Sequence, residues 1–466
     1  MERWQNQEEA VQFALSHPAV MLDMEMGTGK TRSALDTIFE RKDVKTILIV
    51  CPKAVIPVWQ ENLNKFHKWD QWQCWDRVKG SIKDKVEDLK LWQESFGELE
   101  YFGKLFVVVN YDIVWRMQMG EHLKRCTFDM IILDESHRAK AAGTKVSKYL
   151  AMIGKKAKYR MCLSGTPMAN SPLDVYGQYR FLDPTIFGTN YNLFLQEYAI
   201  MSRTDHPFVV GFKNQKKLAE KFGSIAYTCK MSEIADRIKL PDALPPICRY
   251  VDLPARDMCM SKQLSKDFIA ECKNGVIAVN NVLVKMLRLQ QIASGFCYAQ
   301  ENVFSESEIE ELNTAKQDEL LDILSDMSPV ASLVVFVVFR HDIGVVTESA
   351  RKSKREVFEL SGDKNELEDW KKADPGAVIV VQIQAGAEGI DFTKANHAIY
   401  YSLPHSLALY DQSRARLYRP GQTRPVSFIH ILAKDTIDES IYNTLINKKD
   451  VVESIKNGSF NFGYIK

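Results

Sequence analysis

The stretch VMLDMEMGTGKT, residues 20–31, decides the fold of this chain. An apolar run is followed by two glycines and then by an amphipathic segment from Lys30 to Glu40 that is typical of a helix. Strand, glycine-rich turn and helix in this order are the context that a phosphate-binding loop requires. Gly27 and Gly29 allow backbone N–H groups to wrap around phosphates, and the helix N-terminus adds a favourable dipole. The stretch therefore predicts an α/β fold with an anion site after its first strand.

Two side chains of this loop have specific expected roles. Lys30 is placed to reach the β- and γ-phosphates of a nucleotide, and the Thr31 hydroxyl is placed to ligate Mg²⁺. The full pattern has glycine at position 24, where this chain has Met24. A glycine turn that caps a helix is therefore the alternative for the loop taken alone. The predicted nucleotide-binding residues here are Met26, Gly27, Thr28, Gly29, Lys30 and Thr31.

Short apolar runs rich in β-branched residues recur downstream of the loop, and helix-like amphipathic stretches separate them. Buried parallel strands that alternate with crossover helices give this pattern, so we predict a doubly wound sheet. The predicted strands are 20–22, 46–51, 106–109, 130–133 and 159–163, with helices at 30–40 and 58–66.

A proline-rich stretch divides the chain. Pro241, Pro245 and Pro246 disfavour both continuous helix and continuous strand, and the alternation resumes beyond them. We predict an N-terminal lobe over residues 1–238, a linker over 239–251 and a C-terminal lobe over 252–466. In the second half the predicted strands are 332–339, 377–383, 397–401 and 426–432, with helices at 282–292, 315–325 and 437–448.

Length, charge and cysteine content set outer bounds on function. The 466 residues are enough for two or three domains, and 45% hydrophobic with 26% charged residues is ordinary for a globular protein. No apolar run approaches the roughly 20 residues that span a bilayer, and the start lacks the order of a signal peptide. The nine scattered cysteines argue against structural zinc and for a reducing cytosol. A net charge of +1 does not indicate a nucleic-acid binder, yet a local basic groove is sufficient for one.

An acidic pair follows the predicted strand 130–133. Asp134 and Glu135 stand at its carboxyl end, and a parallel sheet brings that end beside the loop after the first strand. We expect Asp134 to hold Mg²⁺ through water and Glu135 to orient and deprotonate an attacking water. For the pair alone, a helix N-cap is the alternative.

Two glycine-containing segments also follow strands. The run LSGTP at 163–167 places hydroxyls where they can sense a γ-phosphate, although a plain turn is equally compatible with it. The run GAEGID at 386–391 has small residues that let the backbone approach a ligand. There Glu388 or Asp391 is expected to contact a ribose or to hold an arginine, and a tight strand-to-helix loop is the alternative.

An arginine cluster, QSRARLYRPGQ at residues 412–422, is the last segment of chemical interest. Arg416 and Arg419 are three apart and share one face if the segment is helical. Guanidinium groups in this arrangement stabilise charge on a γ-phosphate, as arginine fingers do. Arg414 lies off that face and is expected in solvent or on nucleic acid. An ordinary basic helix end is the alternative.

Six motifs in this order resemble one family. Their series resembles superfamily-two helicase-type ATPases and, within them, the Swi/Snf branch of double-stranded DNA translocases, from Gln7 to about Tyr442. The chain looks like the compact bacterial or phage members of this branch. The motifs are MGTGKT at 26–31, LIVCPKAVIPVWQEN at 48–62, DESHRAK at 134–140, LSGTPMAN at 163–170, AGAEGIDFTKANHAIYYSLP at 385–404 and QSRARLYRPGQ at 412–422.

The resemblance implies a fold, cofactors and further site residues. The fold is two tandem RecA-like lobes, each a mostly parallel sheet flanked by helices, with ATP in the cleft between them and Mg²⁺ as its partner. Gln7 matches the glutamine that reads adenine, and Gly389 and Asp391 belong to the nucleotide site. The side chains and loops that match DNA contacts, for which a solvated surface is the alternative, are Lys53, Trp59, Asn110, Tyr111, Gly165, Thr166, Arg340 and Gln384.

The function implied by the resemblance is ATP-dependent translocation along double-stranded DNA by a DNA-dependent ATPase. Branched or single-stranded DNA is a further possible substrate, and the expected protein is a monomer without membrane contact in the cytoplasm of a bacterial or phage-infected cell. A strand-separating DNA or RNA helicase is the closest alternative. A nucleotide-gated DNA clamp without productive hydrolysis and a P-loop ATPase that acts on a protein are alternatives from other classes.

Overall fold

The protein consists of two compact units, residues 1–237 and residues 238–448, and each is built around its own parallel sheet. Among the residues that the structure describes, no helix has the length and apolar character needed to cross a membrane. The structure is a computed structural model, which describes residues 2–97, 103–168, 171–203, 208–267, 269–272, 275–278, 282–299, 308–385 and 390–456.

The first unit contains a seven-stranded sheet. Its strands are β1 (Ala19–Met24), β2 (Thr46–Cys51), β3 (Trp72–Trp75), β4 (Lys104–Asn110), β5 (Met130–Asp134), β6 (Tyr159–Ser164) and β9 (Ala226–Cys229), while β7 (Ala199–Met201) and β8 (Val209–Phe212) form an antiparallel hairpin. The order across the sheet is β3-β4-β2-β5-β6-β1-β9, and all neighbouring strands are parallel. The loops after β1, β2, β4, β5 and β6 therefore meet at one edge of the sheet.

Helices and short 3₁₀ turns connect these strands. The burial of Ile56, Trp59 and Leu63 along one side of the third helix shows why they form: apolar residues at helical spacing cover the sheet. The helices are α1 (Gln5–Ser16), α2 (Lys30–Glu40), α3 (Ile56–Phe66), α4 (Ile82–Gly97), α5 (Met117–Arg125), α6 (Lys145–Gly154), α7 (Val175–Leu182), α8 (Pro184–Phe187), α9 (Tyr191–Tyr198), α10 (Gln215–Gly223) and α11 (Met231–Ile234), and the 3₁₀ turns are Lys53–Val55, Trp69–Gln71, Ser136–Ala139 and Pro172–Asp174.

The second unit contains a six-stranded parallel sheet. Its strands are β10 (Ile247–Val251), β15 (Leu333–Val337), β16 (Val357–Leu360), β17 (Val378–Gln382), β18 (His397–Tyr400) and β19 (Ser427–Ala433), in the order β10-β19-β18-β15-β17-β16. Two antiparallel hairpins join β11 (Ile269–Cys272) with β12 (Gly275–Ala278) and β13 (Phe296–Ala299) with β14 (Glu308–Glu311). The helices are α12 (Ala255–Asp267), α13 (Val282–Ala293), α14 (Ala315–Asp326), α15 (Arg340–Lys352), α16 (Leu367–Lys372), α17 (Leu407–Arg414) and α18 (Ile437–Lys456), of which residues 437–448 belong to this unit.

The predicted fold class, two α/β lobes with mostly parallel sheets flanked by helices, is confirmed. Sequence patterns missed the strands β3, β9, β10 and β16, which are short and lie at or near sheet edges. β10 is partly exposed and pairs with β19, so residues 247–251 of the predicted linker belong to the second sheet.

Candidate nucleotide site and its supports

The loop after β1 is shaped by glycine and closed by its lysine. Gly27 and Gly29 have φ values of 83° and 95°, which lie in the left-handed region where glycine is favoured. Lys30 begins α2, and its Nζ donates a hydrogen bond of 2.6 Å to the carbonyl oxygen of Met24. The ammonium group is thereby held at the loop where the sequence predicts phosphate.

The other loop residues fit a backbone cradle. Thr28 is buried, and its Oγ1 donates a hydrogen bond of 2.7 Å to the carbonyl oxygen of Glu25. Met26 and Thr31 are half-buried, and Thr31 is the second residue of α2. The side chain of Thr28 therefore fixes the turn, while Thr31 stands where its hydroxyl is predicted to ligate Mg²⁺.

Helix α1 packs its polar side against the loop. Asn6 Nδ2 donates a hydrogen bond of 2.9 Å to the carbonyl oxygen of Thr28. The Oε1 atom of Gln7 accepts from the backbone N–H of Trp4 at 3.0 Å, and its amide nitrogen occupies the space beside Gly29. Gln7, predicted to read adenine, is thus buried against the phosphate loop.

A buried carboxylate connects the residues just before α1 and just after α3 with α2. Asp36 of α2 accepts hydrogen bonds from Arg3 Nε at 2.7 Å and Arg32 Nε at 2.8 Å, and its Oδ1 lies 3.2 Å from His67 Nε2. Burial alone raises the pKa of Asp36, but the hydrogen bonds from His67, Arg32 and Arg3 outweigh it and lower the pKa to about 2. Asp36 is thus an ionised support for the helix that carries Lys30.

The acidic pair stands at the end of β5, and three hydrogen bonds hold Asp134. Its Oδ2 accepts from Trp59 Nε1 at 3.0 Å, and its Oδ1 accepts from the backbone N–H of Glu135 at 3.0 Å. The carbonyl oxygen of Asp134 accepts from the Tyr111 hydroxyl at 2.8 Å. Both the side chain and the main chain of Asp134 are therefore fixed from neighbouring segments.

The environment of the pair suits a cation. Burial, and then the neighbouring Glu135 carboxylate, raise the pKa of Asp134 to about 7, against the opposing effects of Lys30 and the Trp59 hydrogen bond. Glu135 itself has φ of 50°, a left-handed backbone that is uncommon for residues other than glycine, and its Oε2 lies 3.4 Å from His137 Nδ1. Mg²⁺ prefers one or two carboxylates together with phosphates and water, so the pair fits that ion.

One glutamine joins the acidic segment to the LSGTP segment. Ser136 Oγ donates a hydrogen bond of 2.7 Å to Gln178 Oε1. Gln178 Nε2 donates to the carbonyl oxygens of Pro167 at 2.7 Å and Asp174 at 2.9 Å. Gln178 is fully buried, so the loops after β5 and β6 share an internal polar connection.

The structure contradicts the DNA contacts that we predict for the side chains of Trp59 and Tyr111. Trp59 is 0% exposed and Tyr111 is 5% exposed, and both point to Asp134. Asn110 is also buried, with its Nδ2 at 3.2 Å from Asp112 Oδ2. All three side chains are buried in the first unit. They could contact DNA at the surface only by leaving the core. Lys53 is exposed.

The other predicted DNA residues are accessible to different degrees. Gly165 and Thr166 are half-buried, and Gly165 lies beside the start of the phosphate loop. In the second unit Arg340 and Gln384 are exposed, and Arg340 Nη2 lies 3.4 Å from Asp363 Oδ1. Their predicted contacts with DNA stay predictions.

The arginine cluster is helical only at its start, because α17 ends at Arg414, so the shared helical face considered for Arg416 and Arg419 is not formed. Arg416 and Arg419 lie in the turns that follow. The carbonyl oxygen of Arg416 accepts from the Phe392 N–H at 3.0 Å. Arg419 Nη1 donates to the Ile390 carbonyl oxygen at 3.1 Å and lies 4.0 Å from a carboxylate oxygen of Asp391.

These contacts bring the arginine segment and the GAEGID segment together. Two roles are predicted for Asp391, contact with a ribose and contact with an arginine. The structure contains the second, because Asp391 lies beside Arg419. Its contact with ribose stays a prediction. Glu388 and Gly389 lie outside the described residues.

The expectation that Arg414 lies in solvent was wrong, and its contact with nucleic acid stays a prediction. Its guanidinium carbon lies 4.6 Å from the centre of the Phe428 ring and 5.6 Å from that of Tyr410, and the residue is half-buried. A guanidinium group that stacks on aromatic rings in this way stabilises the unit itself.

Sequence reasoning missed the supports of the site. The spacing of Ile56, Trp59 and Leu63 already indicates that Trp59 faces the core. Gln178 and Asp36 carry no comparable signal in the sequence. Gln178 is 42 residues from its partner Ser136, and Asp36 is 33 residues from its partner Arg3.

Comparison with known proteins places the chain in a family. The SNF2-related domain matches residues 3–294, and the helicase conserved C-terminal domain matches residues 315–421. A solved structure titled Sulfolobus solfataricus SWI2/SNF2 ATPase core in complex with dsDNA aligns over 98% of this chain and 94% of its own, with 20% identity and a TM-score of 0.43.

Three relatives illustrate the range of the similarity. The chain is 22% identical to human DNA repair and recombination protein RAD54B, over 94% of this chain and 52% of that protein. It is 24% identical to the bovine DNA annealing helicase and endonuclease ZRANB3, over 97% of this chain and 40% of that protein. It is 25% identical to Putative protein p41 of Acyrthosiphon pisum secondary endosymbiont phage 1, over 91% of this chain and 92% of that protein.

The chain thus spans about half or less of the length of the two animal relatives and most of the phage relative. Since the SNF2-related domain alone accounts for more than half of the residues, with a helicase C-terminal domain after it, the chain belongs to the SNF2-related family of helicase-like ATPases.

Proposed function

We propose that this chain is an ATP-dependent motor that moves along double-stranded DNA. The observation that carries the proposal is the placement of Lys30 and of Asp134 with Glu135 at one edge of the first sheet, close enough for the lysine to lower the pKa of Asp134. A cation for phosphate, a metal carboxylate and a base for water are the parts that hydrolysis of a nucleoside triphosphate needs.

The residues divide the chemical work as follows. Lys30 and the loop backbone bind the phosphates, Gln7 faces the adenine, and Glu135 orients and deprotonates water. Thr31 and Asp134 would hold Mg²⁺, which supplies charge neutralisation for the phosphates when bound.

The second unit completes this assignment in the proposal. Arg416 and Arg419 provide positive charge to the γ-phosphate, as arginine fingers do. Asp391 and Gly389 belong to the same nucleotide site in this assignment.

Double-stranded DNA is the substrate that we propose, since two of the relatives are named as a DNA repair protein and a DNA annealing helicase. Three exposed side chains are available to contact the phosphate backbone of DNA: Lys53, Arg340 and Gln384. Contacts of this kind bind without regard to sequence and weaken as salt rises. We further propose a monomer that acts in the cytoplasm of a bacterial or phage-infected cell, as the phage relative of similar length suggests.

The test compares ATP hydrolysis with duplex DNA, single-stranded DNA, branched DNA and RNA. We expect duplex DNA to give the largest stimulation and Glu135→Gln to remove turnover while ATP still binds. Glu87→Gln, at an exposed carboxylate of α4, is the control. A rate that does not respond to any nucleic acid contradicts the proposal and favours an ATPase that acts on a protein.

Movement and strand separation need separate assays. Displacement of a third strand from a DNA triplex reports translocation along an intact duplex. Displacement of one strand from a plain forked duplex reports unwinding. We expect ATP-dependent activity in the first assay, and robust activity in the second would favour a strand-separating helicase.

A further inference from the structure

Two buried side chains connect Asp134 to segments that also carry exposed charged residues. Trp59 lies on α3, directly after the 3₁₀ turn Lys53–Val55 that contains exposed Lys53. Tyr111 follows Asn110, the last residue of β4. Each segment thus has one side chain bonded to Asp134 and also carries an exposed cation, Lys53 in the first segment and Arg116 in the second.

The two connections act on different parts of the same residue. Trp59 Nε1 donates to the Asp134 carboxylate at 3.0 Å, and the Tyr111 hydroxyl donates to the Asp134 carbonyl at 2.8 Å. β2 pairs with β5 and with β4, so both segments lie on the same side of β5.

A displacement of either segment therefore pulls on Asp134 and on the peptide unit that leads to Glu135. The peptide that follows Asp134 already has an unusual conformation. Glu135 has φ of 50°, and its backbone N–H donates to Asp134 Oδ1 at 3.0 Å. A residue in a sparsely populated backbone region persists only where its surroundings impose it. The hydrogen bonds from Trp59 and Tyr111 are part of what imposes it here.

We propose that Trp59 and Tyr111 are positioning residues that transmit DNA contact at the segments after β2 and β4 to Asp134 and Glu135, and so determine how strongly DNA stimulates ATP hydrolysis. The inference rests on the proposed function, because it needs a DNA-stimulated ATPase. It replaces the direct DNA contacts predicted for these two residues with an indirect role inside the first unit.

The experiment uses the full chain and two conservative variants with matched controls. Tyr111→Phe removes one hydroxyl, and Trp59→Phe removes the indole N–H. Tyr179→Phe and Trp75→Phe make the same chemical changes elsewhere in the unit: the buried Tyr179 hydroxyl donates to the Phe222 carbonyl, and buried Trp75 Nε1 donates to Asp88 Oδ2 at 2.9 Å. For each protein we measure duplex DNA affinity, thermal unfolding, and the ratio of turnover with saturating DNA to turnover without it.

We expect the stimulation ratio to fall by about fivefold or more in Tyr111→Phe and Trp59→Phe, which corresponds to the loss of one internal hydrogen bond. DNA affinity should stay within about twofold of the parent protein, because a buried side chain that makes no phosphate contact contributes no counterion release. Both control variants should keep the ratio of the parent protein. Tyr111→Phe alone decides the outcome if Trp59→Phe does not fold.

The outcomes separate this inference from the proposed function. If the parent protein shows no stimulation by DNA, the proposed function fails. If the parent protein is stimulated but Tyr111→Phe behaves like Tyr179→Phe, the positioning role is wrong and the motor assignment stands. A large loss of DNA affinity in Tyr111→Phe would instead restore a direct contact.

Discussion

The amide of Gln7 lies directly against Gly29 of the phosphate loop, so that a Cβ atom on Gly29 would come within 2.1 Å of Gln7 Nε2. The two residues belong to different elements, α1 and the N-cap of α2, and the absence of a side chain at Gly29 is what allows them to touch. The residue predicted to read the base and the loop predicted to bind the phosphates are therefore packed directly against each other.

Gly29→Ala should disturb both the phosphate loop and the position of Gln7. Alanine must adopt φ of 95°, and its Cβ forces the Gln7 amide to rotate away from its hydrogen bond with Trp4. We expect a loss of about 1–2 kcal/mol in the free energy of unfolding. We also expect weaker ATP binding and a smaller preference of ATP over GTP, measured by nucleotide titration and thermal unfolding.

Gly143→Ala is the matched control for this substitution. A Cβ atom on Gly143 would meet no heavy atom within 4 Å, and the φ of this glycine is not left-handed, so the methyl group enters open space. Stability and nucleotide binding should stay unchanged in that variant. Equal ATP binding by Gly29→Ala and Gly143→Ala would show that the contact with Gln7 has no role at the site.

The sequence was sufficient for the sheet and for the loop chemistry, because both are local. The run from Met130 to Leu133 indicates a buried strand by its composition, and the glycines at 27 and 29 indicate the turn by their spacing. The structure places both as predicted, in β5 and before α2. Patterns of this length need no knowledge of the rest of the chain.

The sequence was not sufficient for side-chain direction. Trp59 and Tyr111 match motif positions, but only the pairing of β2, β4 and β5 shows that their polar atoms meet at Asp134. Similarly, the three-residue spacing of Arg416 and Arg419 predicts a shared face only if the helix continues, and α17 ends at Arg414. Long-range partners and helix ends decide these cases.

The Ser136–Gln178 hydrogen bond should contribute to stability in a way that a double-mutant cycle can isolate. Gln178→Leu removes the acceptor of the Ser136 hydroxyl. It also removes the side-chain donor to the carbonyl oxygens of Pro167 and Asp174. We expect a loss of about 2–4 kcal/mol, since each unsatisfied buried polar group costs about 1–3 kcal/mol. Denaturant unfolding of the purified protein gives the value.

Ser136→Ala and the double variant complete the cycle. If the hydrogen bond is formed as the 2.7 Å distance indicates, the two losses should fail to add by about 0.5–1.5 kcal/mol. Strict additivity would mean that the two side chains do not interact. Ser147→Ala, at another buried serine of the first unit, tests whether loss of any buried hydroxyl gives the same result.

Asp36 should give the first unit a dependence of stability on acidity. Its folded pKa of about 2 is below the ordinary 3.8. Because the folded value is the lower one, the stabilisation is fully present above about pH 4 and is lost as pH falls toward 2. A shift of this size corresponds to about 2 kcal/mol at neutral pH. Asp36→Asn should remove this dependence and destabilise the protein by about 3 kcal/mol, because Arg3 and Arg32 lose a buried anionic partner.

Asp43→Asn provides the comparison. The Asp43 carboxylate also pairs with a cation, Lys158, and its pKa is also lowered to about 2, by that hydrogen bond and one from Tyr159, but its side chain is 45% exposed. Water and salt screen such a pair, so a loss of at most about 1 kcal/mol is expected. Denaturant titrations of both variants between pH 2 and pH 7 check the result, and equal losses would contradict the role of burial.

The three arginines at and after the end of α17 should separate into a structural residue and two functional residues. Arg414 stacks on Phe428, whereas Arg416 and Arg419 lie in the following turns. Arg414→Ala should therefore lower the free energy of unfolding by about 0.5–2 kcal/mol and leave DNA-stimulated ATP hydrolysis close to that of the parent protein at a temperature where both are folded.

Arg416→Ala should have the opposite profile. If its guanidinium group stabilises charge on the γ-phosphate, turnover should fall by about 10³-fold or more at a temperature where the variant is folded. Arg419→Ala combines both effects, because Arg419 also donates to the Ile390 carbonyl oxygen at 3.1 Å. Arg351→Ala, at an exposed arginine of α15, controls for loss of positive charge. A steady-state ATPase assay with duplex DNA gives the ranking, and an Arg416→Ala protein as active as Arg351→Ala would remove Arg416 from the nucleotide site.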